Sequence, residues 1–229
     1  MNRTAKRYYW GVVTVVLGLT FGLGCSPLTT LWFLRDDGKL PAAYKLEPHN
    51  GRKDVVVAVI VTPAPEISTK LQFAGLDREL AAAIGKTLVE ETATAKVKMT
   101  TVNPVEVARM QSQNPEKFAV TDPSEVAQRL GADYLIQVNL SQFSLFNDTN
   151  FGKELPQGRA AMMVQVYEAG TESKKKYDYP FDWQAPLRPF GDVPASNYQQ
   201  TFVKDLGKRI AQHHVKHTAD RERSMFRGQ

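Results

Sequence analysis

Hydrophobic and polar positions along the chain fall into two periods, and their order outlines a fold. Val55-Val56-Val57-Ala58-Val59-Ile60-Val61 is apolar without alternation, as expected of a central strand covered by helices on both faces, and Pro63 and Pro65 end it. Leu80, Ile84 and Leu88 then recur every four residues with Ala81 and Gly85 beside them. This predicts a helix over 77–92, with Gly85 a close-packing point. Residues 97–102 are the next strand. Asn103-Pro104-Val105-Glu106 and Asp122-Pro123-Ser124-Glu125 each supply a cap, a proline for the first helical position and a returning glutamate, so two helix starts are predicted. Gly131 closes the second of these helices. Residues 133–140 alternate as a strand with Tyr134, Ile136, Val138 and Leu140 facing inward.

A turn over 147–150 leads to a strand over 159–168, with Ala160, Met162, Val164 and Val166 on one face. Gly170 and Thr171 turn the chain into a further strand over 174–183. Ser196 and Gln199 cap a last helix whose apolar stripe is Tyr198, Phe202, Leu206 and Ile210. The order β-α-β-α-α-β-β-β-α predicts one α/β domain over 54–219, a sandwich of a mixed sheet with flanking helices, long enough to bury a single core. A polar tail, 220–229, follows it.

The start of the chain has a different pattern. Arg3, Lys6 and Arg7 precede an uncharged stretch from Tyr8 to Leu34, and within it Gly24 stands before Cys25, the one cysteine of the chain. A basic start, an apolar segment and a small-residue exit form an export signal. Gly24-Cys25-Ser26 resembles the lipobox of bacterial lipoproteins, in which the thiol is acylated and the cysteine becomes the new N-terminus. Gly22 departs from the leucine usual in that motif. The rival reading is an uncleaved span, since about 20 apolar residues cross a bilayer. Both leave Arg3, Lys6 and Arg7 in the cytoplasm and everything after Leu34 exported. Residues 1–24 are thus a lipoprotein-type signal or a span, and 25–53 a lipid-anchored linker, polar and punctuated by Gly38, Pro41, Pro48 and Gly51. Leu28, Leu31 and Trp32 either lie at the lipid surface or pack on the domain. Ser26 after the cysteine implies, through the lipoprotein resemblance, the periplasmic face of the outer membrane.

A second resemblance covers roughly 54–145. Ala127-Gln128-Arg129-Leu130-Gly131 followed by Ala132-Asp133-Tyr134-Leu135-Ile136 is similar to the helix-to-strand junction of exported bacterial α/β domains of the TolB N-terminal, CsgG and LpoB type. The resemblance implies an adaptor, activator or assembly subunit and carries over no binding residue, because the shared motif is a folding junction.

Charge removes one class of partner. The 29 basic and 24 acidic residues give a formal charge of +5, but the excess sits at the two ends: residues 25–203 carry 19 basic against 21 acidic side chains. A nucleic-acid binder would show a broad basic face. A single cysteine excludes an internal disulfide and an all-cysteine metal site. His213-His214-x-x-His217 has the spacing of a metal pair, but a zinc hydrolase would need glutamate at position 214, so a basic helix end is expected and no metal. No cofactor is expected either, because nucleotide-binding loops and nucleophile motifs are missing; the domain is read as no enzyme.

Tyr177, Tyr179, Phe181 and Trp183 alternate with Asp178, Pro180 and Asp182, and Pro180 has no amide to donate, which places this strand at a sheet edge. Its four aromatics are either a docking strip for protein or glycan or the cover of the last helix. The loop with Pro186, Pro189 and Pro194 could shape a partner surface, and Lys174-Lys175-Lys176 reads as a solvated strand start. The chain is therefore expected to be a membrane-anchored, non-catalytic envelope lipoprotein. Its partners would be the lipid bilayer and another envelope protein, and homo-oligomerisation is left open. The alternative is a single-pass protein with an exported glycan- or ligand-binding domain.

Overall fold

The computed structural model describes residues 39–48, 52–113, 115–148, 154–170, 175–185 and 195–218. The readings for Cys25 and the rest of residues 1–38, the Pro186–Pro194 loop and the polar tail lie outside them. The chain divides into two units. One holds the chain ends, of which the two-residue strand Lys39–Leu40 and Thr218 are described. The other, Pro41–His217, contains the α/β fold.

This unit runs β1 (Asp54–Pro63), a short α1 (Pro65–Ser68), a single 3-10 turn (Leu71–Phe73), α2 (Leu76–Thr92), β2 (Lys98–Thr101), α3 (Pro104–Gln113), α4 (Pro115–Val120), α5 (Pro123–Arg129), β3 (Tyr134–Asp148), β4 (Glu154–Glu168), β5 (Lys175–Gln184) and α6 (Ala195–Gln212). The five strands form one mixed sheet in the order β2-β1-β3-β4-β5. β1 is parallel to both β2 and β3, and β3, β4 and β5 are antiparallel neighbours. The α/β class expected from the sequence is the class observed. α6 starts one residue ahead of Ser196, and β3 runs on to Asp148, through the first half of the expected turn.

β1 is central, which is why its sequence does not alternate. Val55, Val57, Val59 and Val61 face the larger core with Leu80, Ile84 and Leu88 of α2 and Phe202, Leu206 and Ile210 of α6. Ala58 and Ile60 face a smaller core with Val107 of α3, Val126 and Ala127 of α5, and Leu135. Tyr134, Ile136, Val138 and Leu140 all face the larger core, as do Ala160, Met162, Val164 and Val166. Each fully buried Leu or Ile contributes about 1.5–3 kcal/mol. On the second face the helices stop short: Met163 of β4 and Asp178 and Asp182 of β5 are exposed there.

Two close approaches fix the helices. Gly85 of α2 lies against Thr101 of β2, where an added Cβ would sit 3.3 Å from its side chain. Where α2 and α6 cross, a Cβ on Gly207 would come within 2.6 Å of the Ala83 Cβ.

The helix-to-strand junction has a complete physical explanation. Gly131 adopts φ +67°, the left-handed conformation that follows a helix end. Ala132 N–H donates to the Ala127 carbonyl and Gly131 N–H to that of Gln128, the paired bonds of a Schellman motif. Asp133 then joins the sheet. Its N–H donates to the Val56 carbonyl at 2.7 Å, and its carboxylate accepts the Val56 N–H at 2.8 Å. Arg52 lies 3.7 Å from the same carboxylate. At the other end of α5, Asp122 accepts the Ser124 N–H as cap, while Glu125 pairs with Arg129 one turn on.

Candidate functional site

In open α/β sheets, ligands bind in the crevice beyond the carboxyl ends of the parallel strands where the crossovers diverge. Here that crevice lies over Val59, Ile60 and Val61, between Asp77, Arg78 and Ala81 of α2 and Pro104, Val107, Ala108 and Gln111 of α3. Its cavity volume is about 10 Å³, room for one water.

Around this end of the sheet, apolar side chains stand in solvent. Leu71, on the 3-10 turn after β1, is 91% exposed, and Val105, in the first turn of α3 after β2, is 70% exposed. Phe146 is also exposed, on the part of β3 that runs beyond the Pro63–Leu140 pairing. Val120, on α4, is a further exposed apolar residue.

The densest cluster of rings forms on β5, an edge strand of the sheet, as Pro180 implies. Tyr177, Tyr179, Phe181 and Trp183 all face the larger core. Trp183 stacks on Phe202 of α6 with centroids 4.9 Å apart, and the Arg209 guanidinium lies 4.8 Å from the indole centroid. Tyr179 stacks on His213 at 4.4 Å, and Phe181 meets the same imidazole edge-on at 5.8 Å. Tyr177 stacks on Tyr44 at 4.8 Å. The strip is turned onto α6 and onto the segment ahead of β1: Tyr179 is buried, and the other three are half-buried.

Residues 41–48, part of the expected linker, are built into this cluster as a strap. Leu46 is fully buried, the Tyr44 N–H donates to the His213 carbonyl at 2.9 Å, and the Tyr134 hydroxyl donates to the Glu47 carbonyl at 2.9 Å. The strap therefore holds the chain at the amino end of β3. Burial, with a smaller contribution from Glu168, pushes the Tyr134 phenol up to about 12. Burial also raises that of Tyr179, whose hydroxyl has no hydrogen-bond partner among the described residues.

The three histidines are not gathered. His213 stacks on Tyr179, and His217 donates from Nδ1 to the Val215 carbonyl at 3.2 Å. His214 points into the core, fully buried beneath the strap, edge-on to Tyr44 at 6.5 Å and 6.1 Å from Tyr179. Among the described residues, neither of its ring nitrogens reaches a partner at hydrogen-bonding distance and angle. Burial, followed by the neighbouring His213, lowers its pKa to about 4, and the Tyr44 backbone only partly offsets this. Sequence pattern missed both the strap and this histidine. The one available signal was the Tyr44-x-Leu46 alternation inside a polar stretch.

No family model matches the chain, and no curated protein matches it. Several solved structures are similar. With the hypothetical protein CT253 of Chlamydia trachomatis the TM-score is 0.44 at 16% identity, covering 70% of this chain and 97% of that one. With the lipoprotein GNA1162 of Neisseria meningitidis it is 0.39 at 9%, covering 69% and 98%. With the PelC dodecamer of Paraburkholderia phytofirmans it is 0.40 at 10%, covering 77% and 95%.

Proposed function

We propose that this chain is an exported bacterial envelope lipoprotein, acylated at Cys25, whose α/β domain binds another envelope protein and carries no catalysis of its own. The observation that carries the anchoring is Gly24-Cys25-Ser26, holding the one cysteine of the chain, at the exit of a basic and then uncharged leader. One feature of the domain supports the binding role. Leu71, Val105 and Phe146 are exposed at the carboxyl end of the parallel strands, while the strap joins the domain at the opposite end. The family type implied by the junction, that of TolB, CsgG and LpoB, belongs to the same reading, as does the outer membrane.

Metabolic labelling with an alkyne palmitate analogue tests the anchor. The wild-type chain takes up label and fractionates with membranes, and Cys25→Ser takes up none and leaves the membrane or keeps its unprocessed leader. Label retained in Cys25→Ser would contradict acylation at this residue. Wild-type chain at full, unprocessed mass without label would establish the uncleaved span instead.

A further inference from the structure

We propose that the strap, residues 41–48, is an acid-released latch, held closed over the neutral His214 side chain and opened when that imidazole takes up a proton. The geometry carries the argument. His214 is fully buried just beyond the end of α6, with two ring nitrogens that find no hydrogen-bond partner of good geometry among the described residues, and one side of its enclosure is the strap itself, through the Tyr44 ring edge at 6.5 Å. A neutral imidazole tolerates this site poorly and an imidazolium much worse, because a buried charge needs a partner or water. Opening the strap admits water to the ring.

Among the described residues, the groups around His214 replace that water only in part. From the strap it meets the Tyr44 ring and the Tyr44 backbone, which favours the charged form less than burial disfavours it; from β5, Tyr179; and from the position before it, His213, which disfavours a second positive charge. Lys45 and Glu47 of the strap are exposed and pair with each other at 3.3 Å. Lys176 of β5 and Glu168 of β4, which act on Tyr44, also pair with each other. Among the described residues, opening the strap gives up one backbone hydrogen bond to His213, one from Tyr134, the Tyr44–Tyr177 stack, the Tyr44 contact with His214 and the burial of Leu46. The sheet and α6 do not depend on it for their pairing. Release lets out up to about 26 Å of extra chain ahead of the domain. The latch is a property of the domain and stands whether or not the protein is an adaptor.

Linkage sets the size of the effect. The closed state holds His214 near 4, and the open state returns it to the ordinary 6.5. The open-to-closed ratio therefore rises about 30-fold between pH 8 and pH 5, and about 150-fold by pH 4.

The test is hydrogen exchange on the full-length chain in detergent micelles at pH 7, 6, 5 and 4, corrected for intrinsic rates. The Tyr44 amide should lose protection by these factors while the amides of Val59 and Ile136 in the central strands keep theirs. In His214→Phe, which fills the site with an uncharged ring, Tyr44 protection should stay flat. Equal loss in both proteins, or none in the wild type, would overturn the latch. Should His214→Phe not fold, the wild-type histidine ring resonances decide: His214 must titrate together with strap opening. A His214 that titrates near 6.5 with the Tyr44 amide still protected would overturn the proposal as well.

Discussion

Gly207→Ala is a change whose sign depends on the helix crossing being as tight as described. On an exposed helix it would stabilise, because alanine is the better helix former by about 1 kcal/mol. At Gly207 the new methyl carbon would lie 2.6 Å from the Ala83 Cβ and 3.0 Å from the Ala83 carbonyl carbon and the Ile84 nitrogen. Carbon atoms rest at about 3.5–4.0 Å. α2 and α6 must therefore separate by about 1 Å, and because two of the three neighbours are backbone, no side-chain rotation relieves the clash. Overpacking of this kind costs about 1–3 kcal/mol, and a backbone obstacle belongs at the upper end. Setting about 3 kcal/mol of strain against about 1 of helix propensity leaves a net loss of about 2 kcal/mol. For a domain of this size that lowers Tm by about 4–8 °C. Urea denaturation of the wild type, Gly207→Ala, Ala83→Gly and the double variant measures it directly. The double variant removes the 2.6 Å contact and leaves the two backbone atoms at 3.0 Å, so it should recover part of the steric cost, giving a coupling energy of about 0.5–1.5 kcal/mol. A stabilised Gly207→Ala, or additive changes, would refute the close crossing and with it the placement of α6 on α2.

Three further outcomes follow from the junction and the buried histidine. Gly131→Ala forces an L-residue into φ +67° and should cost about 1–2 kcal/mol in the same urea assay. Asp133→Ala removes the carboxylate that accepts the Val56 N–H and should cost about 1.5–3 kcal/mol, whereas Asp133→Asn keeps an acceptor and should cost less; equal losses would show that the side-chain bond contributes nothing. The pKa of His214 is depressed on folding, so acid favours the unfolded chain: stability falls as pH drops below 6.5, and the fall is complete near pH 4. The loss is on the order of 3 kcal/mol in the wild type and absent in His214→Phe, as read from urea midpoints at pH 7 and pH 4.

Those parts of the fold where one period governs burial were legible. The unbroken apolar run 55–61, short, rich in valine and ended by Pro63, read as a strand covered on both faces, and the four-residue stripes of α2 and α6 pointed to the faces they bury. Pro180 marked the edge strand because a missing donor is tolerated only there. The Gly131-Ala132-Asp133 junction was legible as a motif, and the structure supplies its reason in two helix-end bonds and one side chain serving two strands. The strap was not legible: eight residues with a proline at each end and two separated apolar side chains give no period to read, and their burial is decided by a ring on β5 and a carbonyl at the end of α6. His214 was hidden for a related reason. Between His213 and the exposed Lys216, composition suggests a solvated helix end, and only the docked strap closes over it.

In-cell crosslinking reads out whether the anchored domain binds another envelope protein through this end, with a photoreactive residue in place of Leu71 or Val105 in the full-length chain and in Cys25→Ser. One discrete heteromeric band is expected from the anchored chain, reduced or lost in Cys25→Ser. No band from either position, or a ladder of the chain with itself, would contradict it.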